Sequence, residues 1–360
     1  MRSLLLSTLL IVSNIALPQK KSLAVSSPNG QIVFSLTITD TAAVYNVSFK
    51  KTRLISISSL SLDFLESGEF KRRLTAGKPI FREGEENYEL ITGKTKSVHL
   101  SYREVVIPMR ETRSPFREID FRVRIFDDGL AFRYEFRQQK NWSQFSLTNE
   151  HTSFNLVGDP SALALLLPSY TTSHEGEYTH MRLSQIKTDT LMDMPALFEF
   201  SGPVYVAITE AALLDYAGMY LAKEKNILVS RLSPLPGQND IKVKAKLPHH
   251  SPWRVLLISD RIGALIESNI LTSLNDPCKI KDLSWIKPGK TTFPWWNGNV
   301  VPDTLNAPGN NFVTNQYYID FCARNGLEYH SVVEYGLHQW YRDDGVNFQP
   351  GPHADVTTPV

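Results

Sequence analysis

Cysteine is scarce: Cys278 and Cys322 are the only two in 360 residues. That number supports no disulfide framework, and without paired Cys or His spacing beside them a zinc site is unsupported too. Two separately buried thiols are favoured over a Cys278–Cys322 bridge. An excess of one charge is equally absent. Lys plus Arg total 38 against 37 Asp plus Glu, a formal net charge of +1. No bulk field draws in nucleic acid or an anionic membrane, which points to a neutral ligand. No run approaches the ~20 apolar residues a membrane-spanning helix needs. Also missing are a Gly-rich phosphate loop, a nucleophilic serine elbow, internal repeats and low-complexity tracts.

What is present begins with "MRSLLLSTLLIVSNIALPQKKSLA", an early Arg followed by a short apolar run and small residues suited to cleavage. It reads as a secretory leader over residues 1–24, cut after Ala16 or Ala24, and no Cys is nearby to carry a lipid. The expectation is an exported, periplasmic protein without a membrane span. Asn46-Val-Ser and Asn141-Trp-Ser match a glycosylation pattern that matters only in a eukaryotic secretory pathway.

Residues 25–270 read as an antiparallel β-sandwich domain of short strands bounded by Gly, Asp and Ser. The clearest hairpin is "IDFRVRIFDDGLAFRYEF". Phe121, Val123 and Ile125 alternate with Arg122 and Arg124, and Phe132, Tyr134 and Phe136 with Arg133, Glu135 and Arg137. One face is therefore apolar and the other charged, with Asp128-Gly129 offering the positive φ of a two-residue turn.

The texture changes after "WRVLLISD". Ile262, Leu265, Ile266 and Ile270 have helical spacing, and "DLSWIKPGK" is an irregular linker. "TTFPWWNG" reads as a short strand. "NFVTNQYYIDFCARNG" carries the caps of a helix with apolar positions at 313, 317, 321 and, as a further candidate, 322, and "LEYHSVVEYG" reads as a second strand. Strand, helix and strand open an α/β barrel, so residues 271–360 are assigned to a linker and the incomplete start of a TIM-type (β/α)8 barrel, the boundary falling near 270–285. A complete barrel takes about 250 residues, more than the chain provides after that point, so the catalytic barrel is expected to be truncated here.

Working residues of such barrels sit at the C-terminal ends of strands. Trp295, Trp296 and Asn297 close the first candidate strand, and Glu334, Tyr335 and His338 the second. A Trp face offers polarisable area to a sugar ring, while Asn and Glu supply directional hydrogen bonds. Trp296 is balanced between platform and core, whereas alternation turns Trp295 toward the core. Glu334 is a candidate binding group and, less strongly, an acid or base. "LPSYTTSHEGEYTHM" holds Glu175 and Glu177 around Gly176, hard oxygen donors that suit calcium, with a solvated polar loop as the default reading.

Taken together, "SPNGQIVFSL", "DDGLAFRYEF", "SYTTSHEGEYTH", "VYVAITEAALLDYAGMYL" and "SWIKPGKTTFPWWNG" resemble glycoside hydrolase family 97 from about residue 25 onward. The resemblance implies an N-terminal β-supersandwich, a central (β/α)8 barrel and a small C-terminal β domain. It also implies calcium-dependent, exo-acting cleavage of α-glucosidic or α-galactosidic linkages in oligosaccharides, mostly in the bacterial periplasm. On that basis Glu175 of "HEG" would be the sandwich domain's contribution to the calcium site, with no such role for Glu177, and the Trp-Trp-Asn segment would line a sugar subsite. The family's acid/base and its partner carboxylate match no residue here, lying in the missing C-terminal barrel segment. Glu334 in "VVEYGLHQW" departs from the acidic pair many members carry, and the lean is to the α-galactosidase-like branch. A non-catalytic carbohydrate-binding or structural β-sandwich module stays open as the alternative.

Overall fold

Strict alternation builds the first sheet. Strands β1 (Lys21–Ser26), β2 (Ile32–Ile38), β3 (Ala43–Phe49) and β4 (Thr52–Leu60) pair antiparallel in chain order. In β2 and β3 every second residue is buried, which turns Phe34, Leu36, Tyr45 and Val47 to the inside. The computed structural model describes residues 21–302, 309, 311–332, 341–343 and 348–350. The chain divides between Pro277 and Cys278 into two units. Residues 271–277, which the texture change assigns to the second part, belong to the first: Leu274 packs with Ile270, Trp253 and Leu257.

The first unit is mainly β, as expected. A 15-stranded sheet carries the hairpin Glu118–Phe126/Gly129–Phe136 beside Trp253–Ser259, Val204–Ala211 and Ala196–Phe200, and a smaller sheet pairs Gln144–Glu150 with Leu62–Phe64 and Val243–Lys246. All three sheets close over one core. Phe34 stacks on Tyr45 at 5.4 Å and on Phe121 at 6.2 Å, while Phe64 meets Phe136 edge-on at 6.3 Å. These rings each bury on the order of 150–250 Å² and dominate the packing.

The hairpin alternation is as expected, since Phe121, Val123, Ile125, Phe132, Tyr134 and Phe136 are all buried. Its charged face is a half-buried ladder rather than a wet surface. Arg122 reaches Glu104 at 2.6 Å and Glu135 at 2.8 Å, Arg133 reaches Glu135 at 2.6 Å, and Arg124 reaches Glu104 at 3.1 Å. Arg124 also lies over the Tyr102 ring at 4.1 Å and Arg133 over Trp253 at 4.4 Å.

The turn differs from expectation. Phe126 faces Gly129, so the turn residues are Asp127 and Asp128, and neither has a positive φ. Gly129 answers a different need: a Cβ there would sit 2.4 Å from the Leu256 carbonyl oxygen and 2.9 Å from Ile270 Cδ1. The glycine lets the neighbouring strand and helix approach.

The expected helix over 261–270 is two short ones, α1 (Ile262–Glu267) and α2 (Ile270–Ser273), broken where Ser268 turns extended at ψ 136°. Ile270 is buried, whereas Ile266 is 76% exposed.

One ion cluster lies fully inside. Arg254 and Glu150 are both 0% exposed, paired in two parallel bonds: Nε donates to Oε1 at 2.9 Å and Nη2 to Oε2 at 2.7 Å. Arg254 Nη1 also donates to Glu210 at 2.6 Å, and Thr152 Oγ1 donates to Glu150 at 2.9 Å. Burial opposes the Arg254 charge, but Glu150 and Glu210 outweigh it and hold the guanidinium protonated.

In the second unit the two-residue strands Thr291–Thr292 and Tyr329–His330 pair in parallel, joined by helix α3 (Phe312–Asn325). Asn311 caps its start by accepting from Thr314 N, and Gly326 ends it at φ 65°. Caps and crossover match the sequence pattern, but of the expected apolar face only Cys322 is buried. Val313 and Phe321 are exposed, and Thr314, Asn315 and Cys322 are buried. The helix is pinned to the strands by polar contacts instead, Asn315 Oδ1 to His330 Nε2 at 2.7 Å and Cys322 Sγ to the Tyr329 carbonyl at 3.1 Å. No closed barrel is formed among the described residues. Both cysteines are free, Cys322 buried but Cys278 exposed, so only one of the two expected buried thiols is buried.

Replacing Arg254 by Met leaves Glu150 charged and unpaired in the core, and the expected loss is about 3–5 kcal/mol in urea unfolding. A loss below about 1 kcal/mol would show that water reaches the cluster. Burial raises the Glu135 pKa, but the Arg122 hydrogen bond and the charges of Arg133 and Arg122 more than reverse this and hold it below the ordinary carboxylate value. Its stabilisation is therefore present above the unfolded-state pKa and is lost as pH falls through the lowered one. Glu135→Gln is expected to reduce stability at pH 7 and flatten the acid limb of the stability profile. An unchanged acid limb would contradict the ladder's role.

Candidate functional site

The "HEG" loop leaves the sheet between paired strands Ser161–Leu167 and Tyr178–Arg182. Its left-handed residue is His174 at φ 57°, not Gly176. A non-glycine residue pays for that conformation, and here the imidazole is held from both sides. Nδ1 lies 2.6 Å from Asp193 Oδ2, and Nε2 lies 3.5 Å from the Tyr220 hydroxyl. Burial, then the Asp193 and Glu210 charges, push the Tyr220 pKa up, so its hydroxyl stays a donor. Asp193 accepts from the Nδ1 side of the ring, and the Tyr220 hydroxyl closes the Nε2 side. Asp193 is itself fixed, since its N–H donates to the Leu165 carbonyl at 2.9 Å and its Oδ1 accepts from Met194 N at 2.9 Å.

This clamp presents the next residue, Glu175, to solvent. Its carboxylate makes no hydrogen bond or ion pair among the described residues, and neither does that of Glu177. Gly176 lies against the sheet, where a Cβ would come within 2.8 Å of Leu165 Cδ1 and displace the end of that side chain. Calcium takes six to eight oxygen ligands. Among the described residues no three His, Cys, Asp or Glu side chains gather in a way that could hold a metal. Glu175 alone does not complete such a site, so no chemistry is routed through one here.

The aromatic segment of the second unit is not a strand beyond Thr292. Pro294–Asn297 forms a 3₁₀ turn with Pro at its start and Gly298 closing it at φ 73°. Alternation therefore does not apply, and both tryptophans face out: Trp296 is 76% exposed and Trp295 48%. The expectation of a core position for Trp295 is thus corrected. The rings sit 5.9 Å apart at 54°, with Phe293 a further 5.9 Å from Trp295. Asn297 has its amide engaged, Nδ2 donating to the Tyr318 hydroxyl at 3.1 Å and Oδ1 accepting from Val300 N at 3.4 Å. It orders the loop beneath the rings. Tyr318 stacks on His330 at 5.9 Å, and burial lowers the His330 pKa, favouring the neutral ring.

Trp295, Trp296 and Asn297 are thus brought together on one turn, while Glu175 belongs to the other unit. Glu334, Tyr335 and His338 lie outside the described residues. The His174–Asp193–Tyr220 clamp went unseen in the sequence. His174 stands beside the acidic pair, but its partners are 19 and 46 residues away.

These features define a mainly β, three-sheet domain followed by the first parallel strands of an α/β unit with an exposed aromatic turn. The N-terminal domain model of glycosyl hydrolase 97 matches residues 25–277, and the chain belongs to that family. A retaining alpha-galactosidase of Bacteroides thetaiotaomicron is 26% identical over 91% of the chain and 52% of its own length. A probable retaining alpha-galactosidase of Streptomyces bingchenggensis is 28% identical over 95% of the chain and 50% of its own length. Among solved structures, a family 97 enzyme from Pseudoalteromonas sp. strain K8 in complex with acarbose superposes with a TM-score of 0.80 at 26% identity, covering 92% of the chain and 51% of that protein. The chain therefore spans about half the length of the relatives it matches.

Trp296→Ala is expected to leave thermal stability within about 0.5 kcal/mol, as for an exposed side chain, while abolishing quenching of tryptophan fluorescence by added galactose. Quenching that survives in the variant would remove Trp296 from sugar contact.

Proposed function

We propose that this chain supplies the sandwich domain and the first strand–helix–strand segment of an exo-acting α-glycoside hydrolase, taking terminal α-linked galactose from oligosaccharides. The observation that carries this is the similarity to two proteins named as retaining alpha-galactosidases across more than nine-tenths of the chain. The solved relative's complex with acarbose keeps α-glucosides as the competing substrate. In this reading the exposed faces of Trp295 and Trp296 form the sugar platform, with Asn297 fixing their turn, and Glu334 contributes to binding.

The two carboxyl groups that cleave the bond lie outside this sequence, as does the rest of the barrel. Family 97 retention would use a carboxylate pair about 5–5.5 Å apart, one of them the nucleophile. Glu175 is proposed as one ligand of a calcium ion whose other ligands come from elsewhere; when bound, the ion would polarise the reacting region. The clamp on His174 supports this, because it holds Glu175 outward without a partner of its own.

Export to the periplasm belongs to the same proposal. Of the two candidate cuts, one after Ala16 leaves β1 whole, whereas one after Ala24 would remove Lys21–Ala24, which pair with residues 35–38 of β2. N-terminal sequencing of the secreted protein is expected to begin near Leu17.

The complete reading frame is expected to hydrolyse nitrophenyl α-galactoside in preference to α-glucoside and to lose activity on chelation, with Glu175→Gln raising the calcium requirement about tenfold or more. Activity indifferent to chelator would overturn the calcium assignment, and a glucoside preference would overturn the branch. The 360-residue chain by itself is expected to show no turnover.

A further inference from the structure

Far along the chain from the aromatic turn, three loops of the sandwich meet around arginine. The segments 65–69, 71–73 and 112–117 line a cleft of about 310 Å³ that includes Arg72, Arg73, Arg113 and Arg117. These guanidinium groups have different states. Arg117 is 2% exposed and all its N–H groups are engaged: Nε and Nη2 hold Glu111 at 2.9 and 2.7 Å, Nη1 holds Ser67 Oγ and the Gly68 carbonyl, and Nη2 also holds the Glu69 carbonyl. Arg117 therefore neutralises Glu111 and serves as the floor.

Arg72, Arg73 and Arg113 are exposed, and no hydrogen bond, ion pair or ring contact occupies their side chains among the described residues. The hairpin arginines Arg122, Arg124 and Arg133, by contrast, are all paired with carboxylates. Of the lining carboxylates, Glu111 is spent on Arg117, leaving Glu69 against three free cations.

The walls are fixed as well. Thr112 donates through both N and Oγ1 to the Arg73 carbonyl, at 2.8 and 3.0 Å, locking two loops together. Arg73 and Phe116 are held at φ 56° and 59°, positions that a non-glycine residue keeps only when its surroundings impose them.

We infer that this cleft binds the anionic group, carboxylate or sulfate, of an acidic saccharide, with Arg72, Arg73 and Arg113 as its ligands. Arginine forks match both oxyanions and form the stronger, charge-assisted bonds. The saccharide half of this inference rests on the function proposed above; the oxyanion half rests on the arginines alone.

The test is calorimetric titration of the 360-residue chain with trigalacturonate, neutral galactotriose and inorganic sulfate. Trigalacturonate is expected to bind at least tenfold more tightly than galactotriose, to weaken as salt rises, and to be displaced by sulfate. Each of R72Q, R73Q and R113Q is expected to cost about tenfold in affinity with no change in melting temperature. Equal binding of acidic and neutral trisaccharides, or affinity unchanged in the triple variant, would overturn the inference. Sulfate binding without trigalacturonate binding would overturn its saccharide half. Loss of galactotriose binding alone would count against the tryptophan platform and leave the cleft standing.

Discussion

The sandwich turns on a charge that cannot be solvated. Arg254 lies on a strand that is otherwise apolar from Trp253 to Ile258, and it is completely enclosed. Its partners come from two sheets: Glu150 ends a strand of the smaller sheet, and Glu210 lies on the strand beside Arg254 in the large one. Bringing the layers together incorrectly would leave ionised groups in a low-dielectric interior, at a cost of several kcal/mol each. The aromatic core makes collapse favourable, while the ion cluster discriminates among collapsed arrangements. Tyr216, its pKa raised by burial and by Glu150, stays protonated and donates to Glu150 at 3.4 Å, completing the shell.

The same economy appears on the outer face of the hairpin. Three arginines that look solvent-facing from alternation are cross-linked by Glu104 and Glu135 and covered in part by Tyr102 and Trp253. A sheet with charge on its outer face need not be wet there. By contrast, Arg72, Arg73 and Arg113 of the end cleft have no such carboxylate partners among the described residues.

What could be read in advance follows from range. Period-two alternation in 118–136 and the caps of α3 are local, and both were legible. The TTFPWWNG segment misled because Pro294 and Gly298, four residues apart, leave room for one tight turn rather than an extended strand. Apart from Cys322, the buried side of α3 was missed because short strands with Thr292 and His330 call for polar partners, not the apolar stripe at 313, 317 and 321. Arg254 was not singled out, although a lone cation in WRVLLIS that is buried must be paired. Its partner Glu150 lies 104 residues earlier, beyond any local pattern. For the same reason Glu175 was singled out while the Asp193 and Tyr220 that aim it were not.

The absent side chain of Gly129 has a consequence for how the hairpin finds its alignment. If Gly129–Phe136 slipped by one residue along Trp253–Ser259, a leucine would be driven against the Leu256 carbonyl and Arg133 would turn toward the phenylalanine core. Steric exclusion on one side and desolvation on the other therefore select a single frame, and the glycine acts as a ratchet stop for the zippering of the central sheet.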